Sequence, residues 1–166
     1  MRQPQGKLSD LPDEKSQAAA AEPTARQPCE KYGVLVVDED HLVRIMVQLS
    51  LERNGFDVWL ARNGREAIEC FRRHTQEIAV VLLDVRMPGL DGVQTLEVLR
   101  ELNPELLACF MSGETGVYEP DELLQRGAAY VIAKPFRLDY LANILQLMTH
   151  GVSAELLPSR AATRPW

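Results

Sequence analysis

Val80-Val81-Leu82-Leu83-Asp84-Val85-Arg86-Met87-Pro88-Gly89-Leu90-Asp91-Gly92 is an apolar run that delivers one carboxylate into a Pro/Gly turn. An isolated charge is costly inside a core, so an Asp directly after four aliphatic residues is predicted to stand at the carboxyl end of a buried strand. Open α/β sheets keep their ligand crevice at that end, which makes Asp84 the first candidate for chemistry.

On either side of this run, short aliphatic stretches alternate with segments of helical period, the pattern of repeated βα units around a parallel sheet. Residues 34–37 read as the first strand, and Leu42, Ile45, Met46 and Leu49 then recur at helical spacing until Asn54-Gly55 supplies a stop. Residues 58–60 make a second strand. Asn63 reads as the N-cap of a helix carrying Ala67, Ile68 and Phe71, ahead of the central strand at 78–83. A third helix carries Val93, Leu96 and Leu99. The fourth strand spans 107–111, followed by a loop of Gly113, Glu114, Thr115 and Gly116 and a fourth helix at 121–125 that ends at Gly127. Residues 130–133 form the fifth strand. The last helix sets Leu138, Leu141, Leu145 and Met148 on one face. Right-handed crossovers then place helices on both faces of a doubly wound, five-stranded sheet.

The chain has 166 residues, 46% of them hydrophobic, enough for one real core. Residues 1–31 carry Pro, Gln, Ala, Glu and Lys with almost no aliphatic spacing and are expected to form a disordered leader. Residues 151–166 are expected as a short tail, with no output domain. A net charge of −6 argues against a nucleic-acid surface, because phosphate binding needs clustered Lys and Arg. No apolar run approaches the roughly 20 residues that cross a bilayer, and the polar start lacks the apolar segment of a signal peptide, so no membrane contact and a cytoplasmic location are expected. Cys29, Cys70 and Cys109 are odd in number and widely spaced, which fits neither a disulfide framework nor a zinc site. They read as reduced, structural thiols.

With that topology the carboxyl ends of strands one, three, four and five share one edge and bring together Asp38, Glu39, Asp84, Ser112 and Lys134. Carboxylates within a few ångströms repel by about 4 kcal/mol per pair at an effective dielectric near 20, so positive charge is required among them. A hard divalent cation with oxygen ligands is the simplest source, and Mg²⁺ suits a few carboxylates that leave positions for water and a phosphoryl group. Lys134 adds a second positive charge and Ser112 a hydroxyl donor. The set has the parts of a phosphoryl clamp around a nucleophilic Asp.

These residues resemble the CheY-like receiver domains of bacterial two-component response regulators. The resemblance covers residues 32–150 and rests on Val36-Val37-Asp38-Glu39-Asp40, on Asp84 with Met87-Pro88-Gly89-Leu90-Asp91-Gly92, on Met111-Ser112-Gly113 and on Lys134-Pro135-Phe136. It implies a flavodoxin-like (βα)₅ sheet ordered 2-1-3-4-5. It implies that Asp84 accepts a phosphoryl group from a phosphohistidine on a sensor histidine kinase or phosphotransfer protein. Glu39 would ligate Mg²⁺ directly, Asp38 would act through water, and Asp84 with the backbone carbonyl of Arg86 would complete the ligands. Lys134 would pair with phosphoryl oxygens, Ser112 would move inward to donate to the new phosphate, and Lys134-Pro135 would be cis. The resemblance makes the chain a stand-alone response regulator: a phosphoacceptor signalling domain rather than an enzyme, contributing to its own phosphorylation and dephosphorylation. Its downstream protein would dock on helix four, strand five and helix five, with homodimerisation as another use of that face.

Two departures stand out. Val131 falls where the family usually has a Tyr or Phe that rotates inward, while Tyr130 lies one residue earlier; either Val131 takes the switch position, the favoured reading, or a bulge brings Tyr130 round. Glu39 replaces the commoner Asp. Arg86 and Glu114, two residues beyond Asp84 and Ser112, are expected to pair across the water entrance and slow loss of the phosphate. Leu123, Leu124 and Tyr118 are candidates for a partner surface. Asp40 reads as a helix cap, His41 as helix-start polarity, and His74 and His150 as helix-end residues. A pseudo-receiver, binding partners without phosphorylation, is the alternative. A phosphatase of the haloacid dehalogenase type wants a second Asp where Arg86 stands, and a dinucleotide enzyme wants a Gly-rich loop that neither Val37-Asp38-Glu39 nor Arg62-Asn63-Gly64 supplies.

Overall fold

The computed structural model describes residues 31–113 and 118–152, together with the backbone of 161–162. The leader up to residue 30 with Cys29, the loop residues Glu114, Thr115 and Gly116, and most of the tail lie outside the described residues, as does the expected Arg86–Glu114 pair.

Five parallel strands, β1 (Gly33–Val37), β2 (Asp57–Ala61), β3 (Ile78–Asp84), β4 (Leu107–Ser112) and β5 (Tyr130–Ala133), run in the order β2-β1-β3-β4-β5, as the resemblance implies. Between and after them come α1 (His41–Arg53), α2 (Gly64–Arg73), α3 (Gly92–Leu102), α4 (Pro120–Gln125) and α5 (Leu138–Thr149). Alternation along each strand splits the core in two. Leu35, Val37, Val81, Leu83, Phe110 and Val131 share one layer with apolar residues of α2, α3 and α4. Val34, Val36, Val80, Leu82, Met111 and Tyr130 share the other with α1 and α5. Burial on both faces is why these strands read as continuous aliphatic runs rather than as alternating ones.

Short polar side chains begin the helices that carry the site. Asp40 Oδ1 accepts from the Leu42 N–H at 2.8 Å and Asn63 Oδ1 from the Glu66 N–H at 3.0 Å, the caps read from the sequence. Asp91 forms a full capping box: its Oδ1 accepts from the Gln94 N–H, and Gln94 Oε1 accepts from the Asp91 N–H. Gly55 and Gly127 close α1 and α4 with φ of +86° and +97°, a conformation that strains any residue with a Cβ.

Two features go beyond the sequence reading. The helical period of Leu42, Ile45, Met46 and Leu49 is present, but it does not mark the core face: Leu42, Met46 and Leu49 are 71%, 57% and 50% exposed. Val47 and Leu51 are buried, with Val43 packed beside them, and this second stripe seats α1. A helix with apolar residues on both stripes cannot reveal by spacing alone which one faces the sheet. The sheet also has a sixth strand, β6 (Ala161–Ala162), parallel to β5 with Val131 opposite Ala161 and Ile132 opposite Ala162. Without it the β5 edge would present unpaired N–H and C=O groups, and two residues of the tail take up part of that row.

The pairing of β4 with β5 runs unbroken, Cys109 with Tyr130 and Phe110 with Val131. There is no bulge, and Tyr130 points into the α1 and α5 layer, where its hydroxyl lies 2.6 Å from that of Tyr140. Val131 alone of the two faces the α4 side.

Candidate functional site

Parallel register fixes where the acids come. Val37 pairs with Leu83, one residue before each acid, so Asp38 leaves β1 beside Asp84 at the end of β3. On the other flank Asp84 pairs with Met111, and Ser112 with Ala133, which brings Ser112 and Lys134 to the same pole. The Lys134 N–H donates to the Ser112 carbonyl at 2.7 Å, and the Lys134–Pro135 peptide is cis. Sequence positions as far apart as 38 and 134 thus meet at one edge.

Lys134 is the hub of what they form. Its Nζ donates to Asp38 Oδ2 at 2.7 Å and lies 3.2 Å from Asp84 Oδ1. Asp38 is 1% exposed and Asp84 7%, so the ammonium neutralises a carboxylate pair with little solvent to help. Asp38 is held further by its own chain: Oδ1 accepts from the Asp40 N–H at 2.8 Å, and its N–H donates to the Ala61 carbonyl. Burial pushes the Asp84 carboxyl above its ordinary range; the Asp38 charge adds to this, while Lys134 and the Arg86 backbone N–H oppose it. Ser112 is buried beside them, and its Oγ donates to the Gly113 carbonyl over a long 3.4 Å.

Glu39 does not join that cluster. It stands exposed at the rim of an open cleft of about 380 Å³ lined also by Val85, Arg86, Met87, Pro88, Asp91 and Tyr118. Among the described residues no three acidic, His or Cys side chains form a ready-made metal cage. Mg²⁺ needs none, since it retains several waters and takes one or two carboxylates, and the oxygen-only chemistry of Asp38, Glu39 and Asp84 fits such an ion.

The turn that carries Asp84 is packed against the start of α3. A Cβ on Gly92 would lie 2.3 Å from the Asp84 carbonyl oxygen and 3.1 Å from Val85 Cα, backbone atoms that cannot rotate away. Gly92→Ala is therefore expected to cost about 2 kcal/mol in urea denaturation, with the loss felt directly at the acidic turn.

Several readings of single residues are settled by contacts. His41 Nδ1 lies 3.4 Å from Arg44 Nη2, and His74 and His150 are the C-caps of α2 and α5. Phe71 is fully buried, and Trp59 is half-buried with its ring 5.2 Å from that of His74. Leu123 is buried in the core, while Leu124 packs beside it half-buried. Cys109 is buried and Cys70 half-buried, both as free thiols.

Two contacts near the site escape sequence reasoning. Tyr118, just ahead of α4, donates its hydroxyl to Asp91 Oδ2 at 3.1 Å and carries the Arg126 guanidinium 5.1 Å from its ring centre, joining the loops on either side of Asp84. Arg44 in α1 donates to the carbonyls of both Asp38 and Glu39. The second has a signal: six residues after Asp38, less than two helical turns on, a long cationic side chain is able to reach back over the acidic turn.

The chain is similar to known proteins in sequence and fold. The family model of the response regulator receiver domain matches residues 34–146. The transcriptional regulatory protein ZraR of Escherichia coli K12 is 36% identical over 125 residues, 74% of this chain but only 28% of ZraR. The chemotaxis protein CheY of Bacillus subtilis is 30% identical over 111 residues, 65% of this chain and 89% of that protein. The crystal structure of Vibrio cholerae CheY4 superposes with a TM-score of 0.64 at 28% identity, covering 70% of this chain and 97% of that one. No helix among the described residues is long and apolar enough to cross a membrane. With its strand order, its pole of acids bridged by Lys134 and a family match across residues 34–146, the chain belongs to the response regulator receiver domains of two-component signal transduction.

Proposed function

We propose that this receiver works as a phosphorylation switch in which Asp84 accepts a phosphoryl group from a phosphohistidine of a sensor kinase or phosphotransfer protein in the cytoplasm. The observation that carries the proposal is the ammonium of Lys134 placed between the buried carboxylates of Asp38 and Asp84. A carboxylate oxygen of Asp84 forms the new P–O bond as the P–N bond to the donor imidazole breaks. The bonding pair leaves on the imidazole nitrogen, which solvent protonates. Lys134 is close enough to Asp84 to follow the developing charge onto the phosphoryl oxygens, and Ser112 offers its hydroxyl from the next strand. Asp38, Glu39, Asp84 and the Arg86 carbonyl would hold Mg²⁺, which when bound neutralises phosphate charge that three carboxylates would otherwise repel.

The output reading is a receiver acting through protein contacts on the α4, β5 and α5 face; a second copy of the chain is another candidate for that face. ZraR, far longer than this chain, and the B. subtilis CheY, mostly covered by it, are relatives of two different sizes. A pseudo-receiver that binds partners without phosphorylation is the second reading, favoured by one observation: Val131 faces the α4 side where an aromatic switch would stand.

Incubation with phosphoramidate and Mg²⁺, followed by intact-mass spectrometry, separates the two. The folded protein is expected to gain one phosphoryl group with Mg²⁺ and none with EDTA. A folded protein that gains no mass with Mg²⁺ would overturn phosphoacceptance and leave the binding module.

A further inference from the structure

Asp38 and Glu39 open the turn between β1 and α1, the first buried and the second exposed. The two successive carbonyls of that turn lie beyond the end of β1, and a single side chain gathers both. Arg44 Nη1 donates to Asp38 O at 2.6 Å and to Glu39 O at 3.0 Å. Nη2 of the same group lies 3.4 Å from His41 Nδ1, and the side chain is half-buried against the first turn of α1. Fixing two neighbouring carbonyls on one guanidinium fixes the peptide planes between them. The Asp38 side chain is then committed to the Lys134 side of the turn, and Glu39 to the cleft it shares with Arg86.

We propose that Arg44 is a positioning residue for the acidic turn: it holds the backbone so that Asp38 and Glu39 present oxygens to a divalent cation, without touching the cation or the phosphoryl group itself. The inference rests on the phosphoacceptor reading given above. Groups that orient metal ligands from behind set affinity more than chemistry, because they decide how much ordering the turn must undergo when the ion arrives. A guanidinium suits the task better than an ammonium, since its rigid plane fixes the directions in which Nη1 donates to the two carbonyls and its charge is never titrated away.

The test uses Arg44→Met and Arg44→Lys in the full chain, with Mg²⁺ affinity from isothermal titration calorimetry and labelling by phosphoramidate measured across a Mg²⁺ series. Arg44→Met is expected to weaken Mg²⁺ by about 10-fold. Its labelling rate returns to that of the parent once Mg²⁺ is saturating, the split that separates positioning from chemistry. Arg44→Lys keeps the charge but not the planar donor group and falls between the two. Parental Mg²⁺ affinity in folded Arg44→Met overturns the inference, and so does labelling that stays slow at saturating Mg²⁺. If far-UV circular dichroism shows Arg44→Met unfolded, Arg44→Lys decides: weakened affinity supports positioning by the guanidinium, parental affinity overturns it. A parent that neither binds Mg²⁺ nor takes label sinks the phosphoacceptor reading, and this inference with it; a parent that does both isolates Arg44 as the point at issue.

Discussion

Lys134→Met is expected to destabilise the metal-free protein by about 3 kcal/mol at neutral pH, because it leaves two buried carboxylates facing each other with no cation between them. Asp38 and Asp84 are nearly inaccessible, so solvent cannot take over the work of the ammonium. The protein's remaining relief is a proton. Burial and the Asp38 charge already raise the Asp84 carboxyl above its usual range, and Lys134 is the chief influence holding it down. Removing Lys134 lets it rise further, so the variant's deficit grows with pH across the window where Asp84 ionises and shrinks on the acid side. Urea denaturation at pH 5 and pH 8 measures this directly. Mg²⁺ is expected to restore more stability to the variant than to the parent, since it supplies the missing charge and binds only the folded form. Equal stability of variant and parent at pH 8 would show that the pair does not depend on Lys134.

Much of this organisation is legible in the chain because several levels agree. Residues 80–83 are aliphatic without alternation, which in a short run means a strand covered on both faces, and Val80 to Leu83 are all fully buried. The acid that ends the run, the caps at Asp40 and Asn63 and the stop at Gly127 each add a local constraint consistent with βα repetition. Once a parallel sheet is granted, strand ends on one side share one pole, and the candidate site of Asp38, Asp84, Ser112 and Lys134 follows.

What stays hidden depends on tertiary choices that one-dimensional patterns do not encode. The two apolar stripes of α1 are comparable in composition, and only docking against β1 and β2 selects Val47 and Leu51 over Leu42 and Met46. β6 consists of two alanines whose strand state is set by the open edge of β5 rather than by their own propensity. Adjacency groups Glu39 with Asp38, but consecutive residues at a strand end diverge, and only Asp38 enters the buried cluster. Arg44 escapes notice because a cation on an amphipathic helix ordinarily reads as solvated surface.

Asp84→Asn is expected to abolish phosphoryl uptake while making the metal-free protein more stable, two effects of opposite sign from one change of functional group. The amide is a poor nucleophile, so no mass gain from phosphoramidate should remain. For stability, the sign follows from the folded-state pKa of Asp84, which lies above that of the unfolded chain. An acid raised in this way costs nothing below its unfolded pKa, and its cost develops as pH climbs through the raised value. The advantage of Asp84→Asn over the parent should therefore appear across that window and level off above it. The neutral amide would also free the ammonium of Lys134 for Asp38 alone, which its 2.7 Å contact already favours. That makes the two variants interdependent. Lys134→Met introduced into Asp84→Asn strands one carboxylate instead of two, so its cost should fall by about 1–2 kcal/mol relative to the same change in the parent. A double-mutant cycle by urea denaturation at pH 7 reads this coupling; strictly additive losses would mean that Asp84 and Lys134 do not share the interaction on which phosphoacceptance by this receiver is proposed to rest.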